Sequence, residues 1–133
     1  MNTCMNSYEQ ITIGAFIARD RRVRWLDALA SPTRRSKFLD RLNHCRDFDE
    51  RYATALDSNV DVVAILRALG APETCYVISD SPDLDGRELP ISQAVMEVEQ
   101  HGWGTLVCCL PGRLAYFYGE NGEQRLLLQR SVS

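Results

Sequence analysis

No apolar run in the chain approaches the roughly 20 residues that span a bilayer. The opening, MNTCMNSYEQ, also lacks the basic and apolar regions of a secretory signal. The expected setting is therefore cytoplasmic, with no membrane partner. Lysine is nearly missing: of the fifteen basic residues, fourteen are arginine and only Lys37 is not. Arginine's planar fork matches carboxylate and phosphate groups. The five cysteines, Cys4, Cys45, Cys75, Cys108 and Cys109, are odd in number and contain no CxxC spacing. That argues against a disulfide framework and against a zinc site, so reduced, mostly buried thiols are expected. Walker A, GxGxxG and GxSxG patterns are absent, which leaves nucleotide hydrolysis, dinucleotide redox chemistry and hydrolase-elbow chemistry without support. No cofactor is expected, and catalysis is not the leading reading.

What the chain does have is a segregated charge. Residues 19–46 carry nine basic side chains against three aspartates, for +6, while residues 47–133 hold six basic and fourteen acidic side chains, for −8. Glu9 completes the net −3. A length of 133 residues, 45% hydrophobic and 25% charged, is ordinary for one globular domain. Within a single domain over 1–133, residues 1–18 read as a loosely ordered arm. Residues 19–70 read as helical, basic then acidic, and 71–133 as a β-α-β-β-β unit.

Periodicity sets the elements. Ile11, Ile13, Ala15 and Ile17 alternate like a strand, yet Ser7 and Gln10 match a capping box, and helix is the preferred reading of 8–18. DRRVRWLDALA is helical, with Val23, Leu26 and Ala30 on one side. Ser31 as cap and Pro32 at the first position predict a helix to about residue 45, with Phe38, Leu39, Leu42 and Cys45 on its apolar face. Ser58 and Asp61 open a further helix through Leu69 that Gly70 and Pro72 stop, and its wide apolar arc predicts deep burial. TCYVIS then reads as a strand, and Pro90 to His101 as a helix burying Ile91, Ala94, Val95 and Val98. GTLVCCL, RLAYFYG and QRLLLQ follow as strands, joined by turns at Pro111-Gly112 and Asn121-Gly122.

The expected fold class is α+β: two or three N-terminal helices, then a single mixed four-stranded sheet covered by helices. A strand, crossover helix and parallel strand would have to be right-handed. These strands carry apolar residues on both faces, so one crossover helix cannot cover them. The N-terminal helices or a second subunit must take the other face.

Three groups carry candidate chemistry. At 100° per residue, Arg34, Lys37, Arg41 and His44 fall in an arc of about 80°, and Arg19, Arg21, Arg22 and Arg24 support them. Unrelieved like charges at this spacing cost roughly 0.2–0.5 kcal/mol per pair, so something acidic is expected to face them. The leading reading is a small non-enzymatic binding or regulatory protein. Its Arg-rich face, centred on Arg34, Lys37, Arg41, His44, Arg22 and Arg24, would contact an acidic partner surface or a second copy in a homodimer. Nucleic acid is the alternative ligand of that face, although no recognised module is present. Tyr116 and Tyr118 read as packing aromatics rather than base-stacking ones.

The second group is the loop Asp80, Asp83, Asp85 and Glu88. It imitates part of a calcium loop but has Ser92 where the closing carboxylate belongs. A looser Mg²⁺ or Mn²⁺ site, and with it a metal-dependent enzyme, is the third reading, against a solvated turn. The third group is Cys75 or Cys45 with His44 or His101, for which packing or capping is the simpler role. If nucleic acid were the ligand and about five phosphates were engaged, raising salt from about 50 to about 200 mM should weaken binding roughly 500-fold. Filter binding would measure it.

Overall fold

Three-residue strands at both ends extend the central sheet beyond the four strands anticipated. A computed structural model describes residues 7–130. Its strands are β1 (Ala53–Ala55), β2 (Thr74–Ser79), β3 (Glu88–Pro90), β4 (Thr105–Leu110), β5 (Leu114–Tyr118) and β6 (Arg125–Gln129). They form one six-stranded sheet in the order β1-β6-β5-β4-β2-β3, and every neighbouring pair is antiparallel. The class is α+β, and the expected mixed four-stranded sheet is corrected. The chain turns back from β2 into β3 before its helix, and so re-enters the sheet antiparallel to β2. β3 and β4 flank β2 and so run parallel to each other, joined through α5, but no two neighbouring strands are parallel.

Each face of the sheet has its own helical cover, because both faces are apolar. Tyr76, Ile78, Leu106, Cys108, Ala115, Phe117 and Leu128 pack with residues of α1 (Ser7–Phe16), α2 (Arg22–Ala30) and α3 (Arg35–Leu39). Cys75, Val77, Val107, Cys109, Leu114, Tyr116 and Tyr118 pack on the other side with α4 (Val62–Ala68) and α5 (Ile91–His101). The N-terminal helices thus take the second face within one chain. No helix among the described residues is long and apolar enough to cross a membrane.

Several elements differ in detail from their sequence reading. From Ser7 onward the first segment is helix rather than a loose arm, and it buries Ile13, Ala15, Phe16 and Ile17. Residues 1–6 of the expected arm, with Cys4, lie outside the described residues. The helix expected from Ser31 is split. Ser31 accepts the Arg34 N–H at 3.2 Å, α-helix runs only over Arg35–Leu39, and the tighter 3-10 form continues over Asp40–His44. The cap of α4 is Asp61, which accepts from the Ala64 N–H at 3.1 Å, rather than Ser58. Only Val62 and Leu66 of α4 are buried, so its deep burial is not found. In α5 the buried residues are Ile91, Ala94, Val95 and Val98, as its period requires. Asn121 and Gly122 both have positive φ, 56° and 76°, but within a longer loop closed by Gly119 N–H to Gln124 O at 2.7 Å.

The approach of the basic segment to the sheet depends on Gly104, which precedes β4. Its N–H donates to the Asn43 side-chain oxygen at 2.6 Å, and its carbonyl accepts from the Asp80 N–H at 3.0 Å. A Cβ at this position would collide with the backbone of Leu42 and Asn43. Both contacting groups are main chain, so neither can rotate away. Gly104→Ala is therefore expected to cost about 3 kcal/mol, the upper part of the usual range for overpacking. Urea unfolding measures this, and a change under about 0.5 kcal/mol, typical of a neutral surface site, would contradict it.

A basic groove between α2 and α3 as the candidate functional site

Residues 31–34 turn the chain between α2 and α3, and the two helices enclose an open groove of about 410 Å³. Arg24 and Ala28 line it from α2, Thr33 and Arg34 from the turn, and Lys37, Phe38, Asp40 and Arg41 from the segment beyond. Its inner wall is aromatic. Trp25 is fully buried, and Phe38 meets it edge-on with ring centroids 5.0 Å apart. The Arg41 guanidinium lies over the Phe38 ring at 5.4 Å.

Not all the cations around this groove are equally available. Arg41 donates to Asp47 at 3.1 Å, and Asp47 also accepts from Trp25 Nε1 at 2.9 Å and from Arg21 at 2.8 Å. Arg34 reaches only a backbone carbonyl, that of Asp27, at 3.2 Å. Among the described residues, Arg24, Arg34 and Lys37 have no carboxylate within 4.0 Å, and all three are exposed. Three unneutralised positive heads thus border one groove.

Arg34, Lys37 and Arg41, grouped by helical spacing, line this one groove, and Arg24 joins them from α2. His44 and Arg22 do not line the groove. His44 sits between Glu120 at 3.1 Å and Glu123 at 3.4 Å, while Arg22 donates to the Ile17 carbonyl at 2.9 Å.

Arg35 is the basic residue that the helical stripe passed over. It faces inward and holds two carboxylates at once: Glu9 through both terminal nitrogens at 2.7 Å, and Asp85 through Nε and Nη2 at 3.0 Å. Burial opposes its charge, but hydrogen bonds to Glu9 and Asp85, with their negative charges, hold it protonated above its ordinary value. The Tyr76 hydroxyl donates to Glu9 at 2.5 Å, and burial together with that bond pushes the phenol up. Glu9 is 26 positions from Arg35 and Asp85 is 50, separations at which no local pattern could have signalled the clamp.

The same contacts give the acidic loop a structural role. Asp80 accepts from the Asn43 amide at 2.7 Å, and Asp85 takes Arg35 and the Ser79 N–H. Asp83 and Glu88 are exposed, the latter in β3 opposite Tyr76. These four carboxylates diverge, and among the described residues no three His, Cys, Asp or Glu side chains gather as metal ligands would. Tyr116 and Tyr118 are buried beneath α4 and α5, as packing aromatics are. Cys45 is buried, its thiol pushed up to about 12 by that burial, and Cys75 has Cys109 as its hydrogen-bond partner. His101 bonds the Glu97 carbonyl at 2.8 Å near the C-terminus of its own helix.

Comparison with models of protein families, with curated proteins and with solved structures finds no match to this chain.

Asp47 supplies a pH test. Burial alone raises its carboxyl, but hydrogen bonds from Trp25 and Arg41 and the charges of Arg41 and Arg21 outweigh this and hold it below the usual carboxylate range. A carboxyl with a lower pKa folded than unfolded adds stability above the unfolded value, about 3.9. That contribution disappears as pH falls through the folded value. Asp47→Asn should therefore be less stable than the parent at pH 7, and the difference should narrow as pH falls below about 4. Urea midpoints across this range measure it, and a constant difference would contradict the assignment.

Proposed function

We propose that the protein is a non-enzymatic binding protein that docks an acidic segment of a partner protein in the groove between α2 and α3. One observation carries the reading: Arg24, Arg34 and Lys37 border a single open groove with no carboxylate among the described residues neutralising them. Arg34 on the turn and Lys37 in α3 bring like charges to the same groove. An acidic ligand relieves their repulsion. Phe38 gives its apolar part a surface to lie on. Three features favour an acidic protein over a nucleic acid. Only three of the cations lining the groove lack a carboxylate among the described residues, Asp40 stands on the rim, and the chain is negative overall at −3. The acidic stretch 47–133 makes a second copy of this chain one candidate partner of the required chemistry.

The test is fluorescence anisotropy with a labelled oligoglutamate peptide and, separately, a labelled DNA duplex. Exposed ion pairs are worth about 0.2–1 kcal/mol each. Reversing two of them in the Arg34→Glu, Lys37→Glu double variant should weaken peptide binding roughly tenfold or more. Arg113→Glu, on an exposed turn away from the groove, should leave binding unchanged. Equal peptide affinity in the parent and the double variant would overturn the proposal. Tighter duplex binding that falls roughly 40-fold between about 50 and about 200 mM salt, the slope for three phosphate contacts, would favour the nucleic-acid reading instead. Sedimentation of both proteins shows whether a second copy is the occupant.

A further inference from the structure

On the opposite side of the sheet from the groove, two thiols meet. Cys75 and Cys109 project from β2 and β4 into the core beneath α4 and α5, and their Sγ atoms are 3.5 Å apart. Tyr76 lies opposite Cys108, and Cys75 and Cys109 are the next residues of the two strands, beside a register shift of β4 against β5 between Cys108 and Leu110. Directly opposed residues of antiparallel strands have Cα atoms about 4.5 or 5.5 Å apart, within the span of about 4.4–6.8 Å that a disulfide bridges. The sulfurs need to close by about 1.5 Å to reach bonding distance, which side-chain rotation can supply. From this geometry we infer that Cys75 and Cys109 form a modification site, a dithiol that hydrogen peroxide oxidises reversibly to an intramolecular disulfide.

The chemistry balances with peroxide as the oxidant. The Cys75 thiolate attacks one peroxide oxygen and breaks the O–O bond, leaving a sulfenic acid on Cys75 and a hydroxide that takes up a proton as water. Cys109 then loses its proton, forms the S–S bond and expels the sulfenic oxygen as a second water. Two thiols are oxidised, and one peroxide is reduced to two waters. The two thiols share one hydrogen bond, and once Cys75 is ionised Cys109 becomes the donor to its thiolate, which favours thiolate on Cys75, keeps the proton on Cys109 and orders attack by the first before resolution by the second. The sulfur that is held protonated at the start is freed once its partner is oxidised.

The remaining described thiols lack this arrangement. Cys108 faces the opposite side of the sheet, among residues packed with α1 and α2, and burial pushes it up to about 12. Cys45 has the same burden from burial and no sulfur partner. Both members of the pair are at most 2% exposed, so peroxide must enter through local opening. The helix over them that opens most readily is α4, a seven-residue helix with two buried side chains.

The test is peroxide treatment of the folded, reduced full-length chain, followed by alkylation of free thiols, trypsin digestion and mass spectrometry. Cleavage after Arg67, Arg87 and Arg113 puts Cys75 in peptide 68–87 and Cys109 in peptide 88–113. The expected product is these two peptides joined with the loss of two hydrogens, with fragment ions placing the link on Cys109 and dithiothreitol releasing it. Cys75→Ser and Cys109→Ser should each abolish the link, and Cys108→Ser should keep it. Absence of the link in the folded parent protein would overturn the inference. So would its formation only in urea, or fragment ions that place it on Cys108.

Discussion

Arg35 is the point at which the basic and acidic parts of the chain are joined. Its guanidinium clamps Glu9 of α1 and Asp85 of the loop after β2. Both carboxylates are largely withdrawn from solvent, with side chains 2% and 18% exposed. At that depth an unpaired charge is costly, while a bidentate pair with its remaining oxygens hydrogen-bonded is tolerated. Tyr76 supplies the extra donor to Glu9 and the Ser79 N–H the extra donor to Asp85. Alongside, Asn43 bridges Asp80 and the Gly104 N–H, at a place where only glycine lets the two backbones approach. These links seat α3 and its 3-10 continuation against the sheet.

The seating then decides which cations remain available. Arg35 and Arg41 turn toward carboxylates of the same chain and become part of the architecture, the latter through Asp47. Arg24, Arg34 and Lys37 are left on the outer side, around a groove whose wall is built from Phe38 and, behind it, Trp25. One stretch of sequence therefore does two jobs, anchoring the helical layer and presenting positive charge. The second job depends on the first, because Phe38 and the groove exist only if α3 is held in place.

How much of this was readable beforehand follows from the range of each interaction. In α5 the buried face recurs at helical spacing, and in β2 and β4 to β6 long apolar runs meet turn residues, so local pattern was sufficient. Ala53–Ala55 and Glu88–Pro90 have three residues each, too few to show any period, and they become strands only because β6 and β2 offer edges. That is also why a mixed sheet is the sequence expectation: without β3, α5 joins β2 to β4 as if those two strands were parallel neighbours. Charge spacing located Arg34, Lys37 and Arg41, since a helical arc is a local property. It could not separate Arg35 from them, because its partners lie 26 and 50 positions away. It also placed His44 on the stripe, whereas Glu120 and Glu123 of the last hairpin draw it off.

Division of labour among the cations is the central claim, and unfolding free energy tests it most directly. Arg35→Met and Lys37→Met remove similar volumes and the same charge from neighbouring positions. Leaving Glu9 and Asp85 without their cation should cost about 3–5 kcal/mol, the usual penalty for breaking a buried pair. Removing the exposed Lys37 should change stability by no more than about 0.5 kcal/mol in either direction. Similar effects for the two substitutions, or a larger loss from Lys37→Met, would contradict the account.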